Sequence, residues 1–188
     1  MKGGKAVEEI VLSQQKCSTE ELMEQIMQNY GQEILQLVYT YVKNHAVAED
    51  LTQEIFLKCY KALPQFAGKS SMKTWLWRIA INHTKDYLKN WYNNHVQTNS
   101  DIFFNDLNEK TDIEKTVIQR DEDATLAHAV MELPIKYREV IYLFYFEEYA
   151  LKDMSSILCT NENTIKTRLR KAKKLLKTRL EESEWVES

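Results

Sequence analysis

Glycine and proline are scarce, four and two in 188 residues. So little backbone punctuation argues against many short strands and tight turns, and favours long helices. Long apolar runs are missing as well. The most apolar stretch, VIYLFYF (140–146), is far short of the ~20 residues that span a bilayer, so no membrane insertion is expected. The N-terminal MKGGKAVEEIVLSQQ lacks the apolar core of a signal peptide. The three cysteines, Cys17, Cys59 and Cys159, are scattered, odd in number and never in a CxxC pair, which excludes a disulfide framework or a zinc knuckle. His45, His83, His95 and His128 lack ligand spacing, so no metal and no cofactor is expected. A cytoplasmic protein is the expectation. Catalytic signatures are absent too, with no phosphate-cradling glycine loop, no nucleophile elbow and no HExxH. The acid pairs Glu147–Glu148 and Glu181–Glu182 are expected to be solvated helix ends, and the chain is not expected to be an enzyme.

What is present is helical periodicity, in two zones. In ILQLVYTYV, Ile34, Leu37, Val38, Tyr41 and Val42 share one stripe, and LTQEIFLKCYKAL repeats the pattern with Leu51, Ile55, Cys59 and Ala62. SMKTWLWRIAINHTKDYLKNW continues it with Met72, Trp75, Leu76, Ile79, Ala80, His83, Tyr87 and Leu88, and Trp75, Ile79 and Tyr87 are placed on the buried stripe. That assignment leaves Lys73, Trp77, Arg78, Asn82, Lys85 and Lys89 on other faces. Between these last two segments PQFAGKSS reads as a loop that ends one helix and caps the next at Ser70 or Ser71. From Tyr92 to Gln119 periodicity fails in an Asn- and Asp-rich stretch too long for an ordinary loop. From Arg120 onward it returns in four pieces, with Pro134 in the first turn of the second. The expected fold is all-α: an extension over 1–20, helical domains over 21–91 and 120–182, and a flexible linker over 92–119. The second domain is expected to have four helices.

Charge is unevenly spread. The chain is formally at −3, yet TIKTRLRKAKKLLKTRL (164–180) holds eight Lys or Arg and no acid. Within it Ile165, Leu169, Ala172 and Leu176 recur at i, i+4, i+7 and i+11, a single buried stripe. Lys166, Thr167, Arg170, Lys171, Lys173, Lys174 and Lys177 are left on the remaining faces. Thr160 or Asn161 suits the N-cap. The preceding LKDMSSIL, with Leu151, Met154, Ile157 and Leu158 apolar, suits the first helix of a helix-turn-helix, whose second helix enters the DNA major groove. The plain alternative for the basic run is a solvated face. On the N-terminal side, Asp50, Gln53 and Glu54 form a polar, acidic face opposite Leu51 and Ile55, suited to a basic partner helix. The basic groups of the third segment, interleaved with an aromatic beside the loop Phe66–Ser71, suit single-stranded DNA.

LKDMSSILCTNENTIKTRLRKAKKLLK resembles the C-terminal promoter-reading module of extracytoplasmic-function (group 4) sigma factors of bacterial RNA polymerase. AEDLTQEIFLKCYKAL (48–63) and FAGKSSMKTWLWRIAINHTKDYLKN (66–90) resemble that family's N-terminal module, in the same order and with a variable linker between. The resemblance implies a non-enzymatic initiation factor that directs core polymerase to specific promoters in a stress or envelope response. Asp50, Gln53, Glu54 and Phe56 would then bind core polymerase, whose β′ and β subunits are the implied partners. Phe66, Gly68, Lys69, Ser70, Ser71, Trp77, Arg78, Asn82 and Lys85 would bind the −10 element, with Asn82 reading a base. Thr164, Lys166, Thr167, Arg168, Arg170, Lys171 and Lys174 would bind the −35 element, Arg168 and Lys174 through phosphates. The acidic linker would thread the RNA exit path, and an anti-sigma factor would hold the protein inactive. Cys159 stands where the turn often has Gly, and Ser155 where Ala is usual. A stand-alone helix-turn-helix regulator is the competing reading, and it requires a stable dimer on a palindromic operator.

Overall fold

The computed structural model describes residues 18–96 and 121–184, in two compact units that divide between Glu109 and Lys110. Every regular element among these residues is helical, as expected. Residues 1–17 of the expected extension, Cys17 among them, and residues 97–120 of the expected linker lie outside the described residues.

The first unit packs three helices: α1 (Thr19–Val42), α2 (His45–Ala62) and α3 (Met72–Val96). A capping box starts α1. The Ser18 hydroxyl accepts from the Glu21 amide while the Glu21 carboxylate accepts from the Ser18 amide, which satisfies two donors the helix cannot. Lys43 ends α1 in the left-handed region at φ 56°, and Asn44 then caps α2 by accepting from the Val47 amide. Ile26, Tyr30, Ile34, Leu37 and Val38 of α1 meet Leu51, Ile55 and Cys59 of α2 in the core. Each fully buried aliphatic side chain there is worth about 1.5–3 kcal/mol over its exposed state. A short 3-10 turn, Leu63–Gln65, closes α2, and a loop with Gly68 in the left-handed region leads to α3. Ser71 caps α3 by accepting from the Thr74 amide.

Two sequence expectations change in α3. Its buried residues are Met72, Leu76, Trp77, Ala80, Ile81 and Thr84, whereas Trp75, Ile79 and Tyr87 are half-buried. Met72, Leu76 and Ala80 are buried where the apolar spacing put them, but the helix packs on both α1 and α2, so the buried arc widens to take in Trp77, Ile81 and Thr84. Tyr30 of α1 meets Trp77 edge-on at 5.6 Å. The helix also runs to Val96, into the stretch expected to be linker.

The second unit comprises α4 (Asp121–Met131), α5 (Ile135–Ile141), α6 (Leu151–Leu158) and α7 (Glu162–Glu184). Pro134 sits immediately before α5, where its missing amide costs nothing. α5 continues into a π-helical turn, Tyr142–Phe146, closed by the Glu147 amide donating to the Tyr142 carbonyl. Leu133, Val140, Leu143, Met154, Ile157, Ile165 and Ala172 form the core.

Candidate nucleic-acid interface

Three residues separate α6 from α7, and each has a local task. Cys159 ends α6 at φ 49°, ψ 44°. This left-handed conformation costs a non-glycine residue about 1 kcal/mol. Thr160 donates its hydroxyl to the Leu158 carbonyl. Asn161 caps α7, its side-chain oxygen accepting from the Asn163 amide at 2.8 Å. The resulting turn brings α7 across α6 with Ile165, Leu169 and Ala172 buried against the core. Thr164, Lys166, Thr167, Arg170, Lys171 and Lys174 are all exposed on the opposite side of α7. Positive charge and hydroxyls therefore share one open helix surface, the chemistry that meets phosphates and the edges of guanine in a major groove.

Arg168 departs from this pattern. It lies at the edge of the buried stripe, and its Nη1 donates to Glu139 Oε1 of α5 at 3.0 Å. The Glu139 side chain is only 2% exposed. The pair is desolvated on the Glu139 side and costly to break, so Arg168 braces α5 against α7. Another contribution was not visible beforehand. Lys136 of α5 and Lys171 of α7 both stand over the Tyr137 ring, at 5.1 and 5.7 Å from its centroid. The ring thus brings a lysine from outside α7 to the basic surface. No sequence spacing announces that, because the two lysines are 35 residues apart and meet only through packing.

In the first unit Asp50, Gln53 and Glu54 are exposed together on α2. Phe56, expected beside them, is buried at 6% exposure. It supports the acidic face from within the core and is not itself open to a partner. On α3, Arg78, Asn82, Lys85 and Lys89 fall at i, i+4, i+7 and i+11, one row along the face away from the core. Asn82 is exposed, and Arg78 and Lys85 are half-buried. Trp77 does not belong with them. It is 0% exposed, so it cannot stack on an extruded base. Trp75 is half-buried instead and meets Phe66 of the loop at 5.2 Å. Gly68 and Lys69 are exposed in that loop. Ser70 is half-buried and donates to the Ser71 carbonyl, while the Ser71 hydroxyl is committed to capping α3.

Comparison with known proteins follows the same division. Residues 26–91 match Sigma-70 region 2 and residues 124–176 match Sigma-70, region 4. The chain is similar to the RNA polymerase sigma-H factor of Pseudomonas aeruginosa, 31% identical over 154 residues, 78% of this chain and 80% of that protein. It is also similar to the ECF RNA polymerase sigma factor SigW of Bacillus subtilis, 28% identical over 176 residues, 90% of this chain and 94% of that one. Its fold is similar to that of the sigma factor RpoE from Bartonella quintana, crystallised with the anti-sigma factor NepR. The TM-score is 0.68 and the identity 22%, over 84% of this chain and 96% of that one.

Proposed function

Because the chain belongs to the sigma-70 family, in its extracytoplasmic-function group, we propose that it is an alternative sigma factor that brings core RNA polymerase to specific promoters. The observation that carries this reading is the open surface of α7. Thr164, Lys166, Thr167, Arg170, Lys171 and Lys174 are exposed while Ile165 and Ala172 are fully buried behind them. The stripe sets the rotation of the helix, and the rotation sets which side chains can reach base edges. Lys166, Thr167, Arg170 and Lys171 read the −35 element, with Lys174 and Lys136 on phosphates. Arg168 is left out of the reading set.

In the first unit, residues 21–91, the acidic row Asp50, Gln53 and Glu54 docks on a basic surface of the polymerase β′ subunit. The Arg78–Asn82–Lys85 row follows the displaced strand at the −10 element. An unpaired base enters beside the Phe66–Trp75 pair and the loop of Gly68 and Lys69, where aromatic faces stabilise a flipped base. The segment that follows α3 tethers this unit to the −35 module, 120–182. An anti-sigma factor as inhibitor and a role in stress or envelope responses belong to the same proposal, as does action in the cytoplasm beside the polymerase. No helix among the described residues is long and apolar enough to cross a membrane. A stand-alone regulator is disfavoured by the match to both sigma regions along one chain.

Run-off transcription with core polymerase on genomic fragments tests the proposal. Wild type initiates at discrete promoters. Asp50→Ala with Glu54→Ala loses core binding, and Lys166→Ala keeps core binding but loses −35 selectivity. A Lys166→Ala protein that selects promoters as wild type does would remove α7 from the reading role.

A further inference from the structure

Glu54 and Lys58 stand four residues apart on α2, the spacing at which a glutamate and a following lysine ordinarily pair. They do not pair directly. The His83 ring of α3 stands between them, with Nε2 at 2.7 Å from Glu54 Oε2 and Nδ1 at 2.6 Å from Lys58 Nζ. An ammonium has donors only, so Nδ1 is the acceptor from Lys58. The hydrogen is then on Nε2, which donates to the Glu54 carboxylate. The ring is held between a cation and an anion. Its side chain is 12% exposed, while that of Glu54 is 59% exposed. An anchored ring thus holds an open carboxylate. The other charged groups facing this groove are Asp86 and Lys89 of α3.

We propose that His83 is a positioning residue for polymerase docking, a spacer that keeps Lys58 from neutralising Glu54. The inference rests on the docking role proposed above for Glu54. Without the ring, Lys58 closes on Glu54 across one helical turn, and the partner must displace that lysine before it can use the carboxylate. With the ring in place, the lysine's charge is turned toward Nδ1, and the carboxylate remains in the row with Asp50 and Gln53.

The test titrates labelled full-length protein with core polymerase. His83→Ala is expected to weaken binding about fivefold, the scale of an exposed charge pair. Adding Lys58→Met to His83→Ala is expected to recover affinity to within about twofold of wild type, because nothing is left to mask Glu54. A double variant as weak as His83→Ala alone overturns the proposal. If Glu54→Ala binds core as wild type does, the docking role of Glu54 fails and the inference falls with it. If Glu54→Ala weakens binding but Lys58→Met rescues nothing, the spacer role alone fails. Nitrogen-15 shifts of the wild-type imidazole give a readout that needs no variant to fold. The hydrogen is expected on Nε2, and a ring carrying it on Nδ1 would overturn the geometry.

Discussion

Trp75 and Trp77 are two residues apart on one helix and have opposite surroundings. Trp77 is sealed between α1 and α3 against Tyr30, while Trp75 faces the loop through Phe66. Trp77→Ala should therefore cost about 3–5 kcal/mol of stability, measurable as an earlier unfolding midpoint of the first unit. Arg170→Ala, on an exposed position of α7, should change stability by no more than about 0.5 kcal/mol while weakening −35 binding in the holoenzyme. The two described cysteines separate just as clearly. Burial pushes the Cys59 thiol up to about 12, and only the thiolate reacts. At pH 8 an alkylating reagent should mark exposed Cys159 in the native protein and Cys59 only after denaturant, as peptide mass spectrometry would show. Cys159 also sits in the left-handed region. Cys159→Gly should raise stability by about 0.5 kcal/mol, because relief of strain exceeds the added freedom of the unfolded chain.

At the scale of the element, the two units solve one problem in the same way. Each must hold a basic helix with its charged side outward, and each starts that helix with a side-chain cap, Ser71 for α3 and Asn161 for α7. Asn161→Ala should cost about 1 kcal/mol and fray the first turn of α7, where Thr164 stands just before Lys166. Hydrogen exchange of the first-turn amides would detect it. The Arg168–Glu139 brace leads to a different expectation. Arg168→Met should destabilise the second unit by about 1.5–3 kcal/mol, since the buried Glu139 carboxylate loses a charge-assisted hydrogen bond. It should leave the salt dependence of promoter binding unchanged. Lys174→Ala should instead lower the slope of log affinity against log salt by about 1. If Arg168→Met also lowers the slope, the guanidinium reaches phosphate and the brace is not its main role.

At the scale of the whole molecule, the formal charge of −3 and the basic faces of α3 and α7 are reconciled by segregation. Acids gather on α1, on the Asp50–Glu54 face of α2 and in the segment 92–119, and cations gather on the helices proposed to meet DNA. A protein that bound DNA unaided would be expected to carry a basic total, because neutralising phosphates supplies most non-specific affinity. Two modest sites on one chain gain instead from effective concentration once the polymerase holds both. The free protein should therefore bind promoter fragments weakly and the holoenzyme specifically. Quantitative footprinting of each checks this, and a tight, specific footprint by the isolated chain would contradict it.

Much of this was determined by local pattern alone. The helices, the stripe Ile165–Leu169–Ala172, the acidic row on α2 and the three-residue turn before α7 follow from periodicity and capping, which act over a few residues. The left-handed Cys159 was foreseeable for the same reason. What tertiary structure decided is everything that depends on where a helix touches its neighbours. A helix nested against two partners buries a wider arc than its apolar spacing marks, so Trp77 and Phe56 are buried and Trp75 only half-buried. Pairs formed between helices are also invisible to local spacing. Glu139 with Arg168, Tyr137 between two lysines, and His83 between Glu54 and Lys58 join residues that only packing brings together.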